Sequence, residues 1–288
     1  MIASQPSPQG LAALASALRL SESGLVNLLE AAEQSYHRYP LRARRKRPRW
    51  IEAPKPLLKA VQRKLLEKLL YQAHPHAAAH GFYPGRSILT NASSHAGKAR
   101  VLSCDLKDFF PSTKQSMVET VLSRLHGFGE EARAAVLRLV CRRGALPQGA
   151  PTSPHLANLA FLDGDEQLND LAGDHGLTYT RYADDMTFSG DALPDDLEER
   201  ITEIVIRIGY RLAKAKTKRM GRHQCQKVTG LVVNEGVKLP RAQRRRLRAI
   251  RRDLDTKGVD FALARSGYRS ASELAGHLAF EQMVAVDL

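Results

Sequence analysis

Cysteine is scarce in this chain: three in 288 residues, Cys104, Cys141 and Cys225. They are too few and too scattered for a disulfide framework or a zinc site, and a reduced cytoplasm is the compartment that fits best. Long apolar runs are missing too. The N-terminal stretch LAALASAL has no basic leader and is too short to cross a bilayer, so neither a signal peptide, a transmembrane anchor nor a membrane partner is expected. There is no repeat at solenoid periods and no low-complexity tract. Acids are outnumbered: 30 Asp and Glu against 44 Lys and Arg leave a net charge of +14. The natural partner of such a chain is a polyanion, and two clusters sharpen the point, RARRKRPR at 42–49 and RAQRRRLRAIRR at 241–252. What remains is ordinary for a globular protein, 43% hydrophobic and 26% charged, with length for one large or two ordinary domains.

Helical spacing runs through 11–36, with Leu25, Leu28, Leu29 and Ala32 on one face. Pro56 opens a second helix carrying Leu58, Val61, Leu65 and Leu69 on one side and Lys59, Arg63, Lys64 and Lys68 on the other, a face suited to nucleic acid or to water. HGFYPGRS is a loop punctuated by Gly and Pro, and ARVLSCDLKDFF reads as a buried strand ending in acids. Ser112 with Gln115 predicts a capping box for a helix through Val118, Val121, Leu122 and Leu125. Further helices are expected near 130–142, 154–172 and 195–209, a hairpin in KVTGLVVNEGVKLP turning at Asn234-Glu235-Gly236, and helices again from 241. Strands mixed with helices, without regular βαβ alternation, predict an α+β fold.

The chemistry concentrates in TYTRYADDMTFSG, 178–190. Two β-prone runs flank adjacent acids, Asp184 and Asp185, and a hairpin turn at 183–185 would let both reach one target. Carboxylates about 4 Å apart repel by about 4 kcal/mol at an effective dielectric of 20, a conflict that a divalent cation removes. Taken alone the pair reads equally as a solvated turn. A third acid, Asp105, ends the strand VLSCD. If that strand lies beside the hairpin, three carboxylates meet and can hold two magnesium ions; otherwise Asp105 is a helix cap or a solvent-facing acid.

The motifs resemble those of the reverse transcriptases: SCDLKDFFPS, LPQGAPTSPHLANL and YADD stand in that family's order, with RWIEAPKPLLKAVQ upstream and GYRLAKAKTK downstream. NASSH at 91–95 and VTG at 228–230 are similar to the two signatures of retron reverse transcriptases, while Ala213 stands where the family often has Asn. The resemblance implies a right-hand polymerase fold: an N-terminal helical extension over 1–40, fingers over 41–100, an antiparallel-sheet palm over 101–230 with a fingers insertion near 112–146, and a helical thumb over 231–288. It implies Asp105 and Asp184 as principal ligands of two magnesium ions, manganese being a substitute, with Asp185 assisting and the Leu106 carbonyl completing the shell. It places Arg49, and less clearly Lys46, on the triphosphate of a deoxynucleotide, Phe110 under its sugar, Gln148 and Gly149 against it, and Lys216 on the leaving pyrophosphate. Asn91, His95, Val228, Thr229 and Gly230 are implied RNA contacts. Arg241, Arg244, Arg245, Arg248 and Arg252 recur every three or four residues, so one helix face is strongly positive and suits a phosphate backbone. The implied partners are a cognate structured RNA serving as template and primer, the RNA–DNA product, and a separate effector protein in phage defence. Priming from the 2'-hydroxyl of an internal guanosine comes with the resemblance. A group II intron type, whose members usually continue past the thumb, and a non-catalytic RNA-binding protein on the same fold are the rivals.

Overall fold

The computed structural model describes residues 9–41, 48–125 and 129–286. Two helices come first, α1 (Leu11–Ala17) and α2 (Glu22–Ala31). Arg19 takes a positive φ of 55° between them, and the Ser21 hydroxyl caps α2 by accepting the Gly24 amide, which cuts the expected 11–36 helix in two. The hairpin β1 (Tyr36–Leu41) and β2 (Arg49–Pro54) leads into α3 (Pro56–Lys68), whose proline sits where its missing amide costs nothing. On the basic side of α3, Lys64 donates to the Leu18 carbonyl and so ties α3 to the end of α1.

A short helix, α4 (Ile88–Ser93), precedes β3 (Arg100–Asp105). Then come α5 (Phe109–Ser112), α6 (Gln115–Arg124), α7 (Glu130–Val140), α8 (Ser153–Ala160) and α9 (Leu162–Asp174). The predicted capping box is not formed: Ser112 closes α5, and its hydroxyl donates back to the Lys107 carbonyl. The helix expected over 154–172 is broken at Phe161, whose φ of −93° and ψ of 5° leave helical geometry. The hairpin β4 (Thr178–Tyr182) and β5 (Asp185–Gly190), helix α10 (Leu197–Arg207) and strand β6 (Lys218–Gly221) complete the sheet region. A small ribbon, β7 (Lys227–Val228) and β8 (Leu231–Val232), turns at Thr229 and Gly230, both at positive φ. The expected Asn234-Glu235-Gly236 turn lies in the wider loop that returns Lys238 to pair with Val232. Helices α11 (Arg241–Lys257), α12 (Val259–Ser266) and α13 (Ala271–Val286) end the described chain.

The fold is α+β. Its central sheet has the order β4-β5-β3-β6 with every neighbour antiparallel. Side chains alternate across a strand, so β3 sends Leu102 and Cys104 into the main core with Met186, Phe188 and Tyr179. Val101, on the other face, joins a second apolar cluster with Leu89 and Ala92 of α4, Val228, Leu231, Leu247 of α11 and Val284 of α13. That second face also carries Ser103 and Asp105. It is closed at the Val101 end by α4 and the C-terminal helices, and open at the Asp105 end. Asp185 and Ser189 are four residue steps apart along β5, so the open and closed ends lie about 13 Å apart.

Candidate active site

Register does what the sequence left undecided. Asp105 lies directly opposite Asp185 in the β3–β5 ladder, and one step further the Leu106 amide donates to the Asp184 carbonyl at 2.8 Å. Tyr182 pairs with Asp185, so the turn is Ala183 and Asp184 alone, and Asp185 already belongs to β5. Ala183 takes the left-handed φ of 57° that a two-residue hairpin needs at its first position. The segment after α10 is strapped to the same corner: the Ala213 amide donates to the Asp105 carbonyl and the Lys107 amide to the Arg211 carbonyl. That strap brings the Lys216 ammonium to 3.0 Å from the Asp105 carboxylate.

Asp105, Asp185, Lys216 and Arg49 of β2 all line one open cleft of about 940 Å³. Burial pushes the Asp185 carboxyl up to about 6, and the Asp105 charge adds to the rise; the Ser103 hydroxyl, donating at 3.1 Å, and Lys216 pull the other way, and the Asp184 charge raises it further. Among the described residues no three His, Cys, Asp or Glu side chains form a ready metal cage. The corner offers two paired carboxylates, a third on the turn and only oxygen donors. A magnesium ion, which keeps waters and takes one or two carboxylates with substrate phosphates, fits such a set better than a closed cage would.

The neighbouring loop, 147–150, is pinned to β2 by the Glu52 amide, which donates to the Gln148 carbonyl at 2.8 Å. Gly149 has a φ of 130°, which strains any residue with a side chain, and a Cβ there would stand 3.0 Å from Ile51 and 3.1 Å from the Glu52 carbonyl, so a larger residue is disfavoured. Phe110 is half-buried beside this loop and shares a cavity wall with Gly149. Leu106 is buried on the strand end. Lys46 lies outside the described residues, as does most of the first basic cluster.

The two signatures expected to face RNA come together. The Thr229 hydroxyl donates to the Ile88 carbonyl at 2.9 Å, joining the β7–β8 turn to the first residue of α4. Asn91 and His95 are fully buried, however, and Val228 is 1% exposed, so the expectation of direct RNA contact by these three side chains is corrected. Asn91 lies in α4 and His95 two residues past its end, while Val228 of the ribbon belongs to the second apolar cluster with Leu89 and Ala92 of α4. Thr229 is half-exposed and Gly230 exposed. The His95 ring bridges Ser189 and Thr180, at 2.6 and 2.7 Å, and thereby locks α4 onto β4 and β5.

Burial, with smaller contributions from His80 and Lys98, pulls the His95 imidazole down to about 3. Its folded value therefore lies below the unfolded value of about 6.5, so its share of stability is complete above pH 6.5 and is lost as pH falls toward 3. We expect wild type to lose about 2 kcal/mol between pH 7.5 and pH 5 through this residue. His95→Gln removes that component, and urea melts across this pH range check it; equal acid sensitivity in both proteins would refute the assignment.

Sequence reasoning missed the group that holds the acid-bearing turn. Arg181, in β4, has no exposed surface and forms a two-pronged ion pair with the fully buried Asp165 of α9. It also donates to Asn158 and, at 2.9 Å, to the Ala183 carbonyl, while the Tyr179 hydroxyl donates to Asp165. Burial alone would favour a neutral Arg181; the adjacent Asp165 carboxylate more than reverses this and keeps the guanidinium charged. The available signal was a cation at an inward-alternating position of a strand otherwise made of aromatic and β-branched residues, together with an acid on an apolar helix face.

Of the arginines of α11, Arg241, Arg244, Arg245, Arg248 and Arg252 are exposed, and Arg245, Arg248 and Arg252 line one groove with Lys257 and Arg265. Their neighbours Arg251 and Arg265 are ion-paired, to Glu281 and Asp253.

The profile of the family "Reverse transcriptase (RNA-dependent DNA polymerase)" matches residues 41–233. The chain is similar to the retron Mx65 and Mx162 reverse transcriptases of Myxococcus xanthus, 41% identical over 223 residues and 40% over 236, each match covering 70% of this chain. It is 35% identical over 241 residues to the retron Ec86 reverse transcriptase of Escherichia coli, covering 82% of this chain and 75% of that protein. The chain spans about half the length of the two Myxococcus relatives, 52% and 49%. A profile that takes in the hairpin, its opposing strand and both pinned loops, together with a relative matched over most of its own length, leaves one conclusion: this chain belongs to the retron-type reverse transcriptases.

Proposed function

We propose that this chain is the RNA-directed DNA polymerase of a retron, copying part of a cognate structured RNA into single-stranded DNA joined to that RNA, in a system of phage defence. The observation that carries the reading is the pairing of Asp105 with Asp185 at the open end of the sheet, in one cleft with Arg49 and Lys216. In this reading β3 to β6 are the palm, α11 to α13 the thumb, and the β1–β2 hairpin with α3 part of the fingers.

Asp105, Asp184 and Asp185, with the Leu106 carbonyl, are the groups that would hold two divalent ions. When bound, the ions activate the attacking hydroxyl and neutralise charge on the departing pyrophosphate. Arg49 grips the triphosphate through paired donors, which a lysine at this position would do less well. Lys216 exchanges its Asp105 contact for the pyrophosphate. Gln148 and the bare backbone of Gly149 line the nucleotide, and Phe110 stands where a ribose 2'-hydroxyl would clash. A sugar oxygen of the primer, the 2'-oxygen of a guanosine at the first step, bonds to the α-phosphorus; the bond to the bridging oxygen breaks, pyrophosphate leaves, and the hydroxyl proton passes to solvent.

The test is to purify the chain with the RNA encoded beside it and supply magnesium and deoxynucleotides. DNA linked to RNA supports the reading. No DNA, or DNA still made by the Asp184→Asn Asp185→Asn double variant, ends it and favours a non-catalytic RNA-binding protein. Sequencing the co-purified nucleic acid separates a retron from an intron type.

The exposed arginines of α11 hold the duplex backbone in this reading. Replacing Arg245 and Arg248 by Ser should weaken duplex binding and lower the slope of log affinity against log salt by about 0.9 per lost contact. A salt titration by fluorescence anisotropy measures it, and an unchanged slope assigns the groove elsewhere.

A further inference from the structure

We infer that Phe82 is a specificity-determining positioning residue, its ring holding Phe110 in the place from which Phe110 rejects ribonucleotides; this rests on the reading of Phe110 given above. The HGFYPGRS segment, which the sequence shows only as a loop, is laid along β4. Arg181 donates its amide to the Ala78 carbonyl, and the His80 amide donates to the Arg181 carbonyl, both at 2.7 Å. The next residue, Gly81, lies against the acid-bearing turn so tightly that a Cβ would be 2.8 Å from the Ala183 nitrogen, and its carbonyl accepts from Asn158. The chain is thus clamped immediately before Phe82.

Phe82 itself has a φ of 62°. A left-handed conformation is unfavourable for a residue that carries a Cβ. Burial does not offset that cost, because the side chain is 41% exposed. An aromatic residue both strained and exposed beside an active site points to a task outside the core. The ring stands between two rings of the site, 6.2 Å from Phe110 and 5.9 Å from Tyr182, centroid to centroid, each pair tilted. Phe110 rests on Phe109, at 5.6 Å, on one side and on Phe82 on the other. Between Phe82, Phe110 and the 149–151 loop lies a cavity of about 270 Å³ with Lys59 on its wall. Without the Phe82 ring, Phe110 can swing into that space, and the gap it leaves admits a 2'-hydroxyl.

The experiment is single-nucleotide extension of a DNA primer on a synthetic RNA template, comparing dATP with ATP. Phe82→Ala and Phe82→Gly should each raise KM for dATP and cut the preference for dATP over ATP by about tenfold, with a smaller change in kcat. Phe82→Tyr, which keeps the ring, should restore both. Phe82→Gly also removes the backbone strain, so its melting temperature should equal or exceed that of Phe82→Ala, which separates loss of the ring from loss of stability. Wild-type preference in both ring-less variants overturns the inference. So does a loss confined to template–primer affinity, which would assign the ring to a template base. A wild type that extends nothing removes the polymerase reading and this inference together, whereas a wild type that extends beside unaltered ring-less variants removes only the inference.

Discussion

Asp185→Asn is expected to reduce DNA synthesis by roughly 10³-fold or more while making the metal-free protein more stable. The two effects have one cause. Asp185 and Asp105 face each other across a ladder position, and Asp185 is held in a buried, carboxylate-crowded corner. Such an arrangement is unfavourable for folding, and in the proposed reading it is retained because it would hold cations where a hydroxyl meets a phosphate. Removing one charge relieves the repulsion and, in the proposed reading, takes away one of the metal ligands. For a chain of this size each kcal/mol regained raises the melting temperature by about 2–4 °C. Single-turnover extension measures the first effect, and melting in EDTA and then in excess magnesium measures the second. Added magnesium should stabilise wild type more than the variant, which keeps Asp105 and Asp184 but lacks the third carboxylate. Synthesis within tenfold of wild type, or equal stabilisation of both proteins by magnesium, would show that the corner is not a metal site.

Arg181→Met should cost about 3–5 kcal/mol, because it leaves the Asp165 carboxylate buried without its partner. The Asp165→Leu Arg181→Met pair should recover much of that loss, since two apolar groups of similar volume replace two charges that were costly to bury. Activity should not recover with stability. Arg181 also donates to the Ala183 carbonyl, and the double variant still lacks that restraint on the turn bearing Asp184. Urea unfolding gives the first quantity and primer extension the second. A single variant less than about 1 kcal/mol below wild type would mean the pair contributes little.

Much of the local structure was legible. Pro56 started its helix where proline is tolerated, Gly149 sat where a side chain would collide, and the aromatic and β-branched flanks of Asp184 and Asp185 became paired strands. Local signals failed where a neighbour outcompeted them. Ser112 had the spacing of a cap, but its hydroxyl found the Lys107 carbonyl first. Asn91 and His95 were implied RNA contacts, yet both are fully buried, and His95 found both its partners on strands far away in sequence. No window of neighbouring residues contains that information.

Charge, the order of the motifs, a hairpin turn near Asp184 and the starts of several helices are legible in the chain alone, because each depends on side chains within one or two turns of chain; the strand pairing then moved Asp185 out of the expected 183–185 turn. Only the tertiary structure decided that Asp105 faces Asp185, that Lys216 reaches Asp105, and that Arg181 is sealed against Asp165. Those pairings follow from strand register and burial. Both are set by how every apolar face in the molecule packs at once, since a one-residue slip of β3 would turn Asp105 into the core.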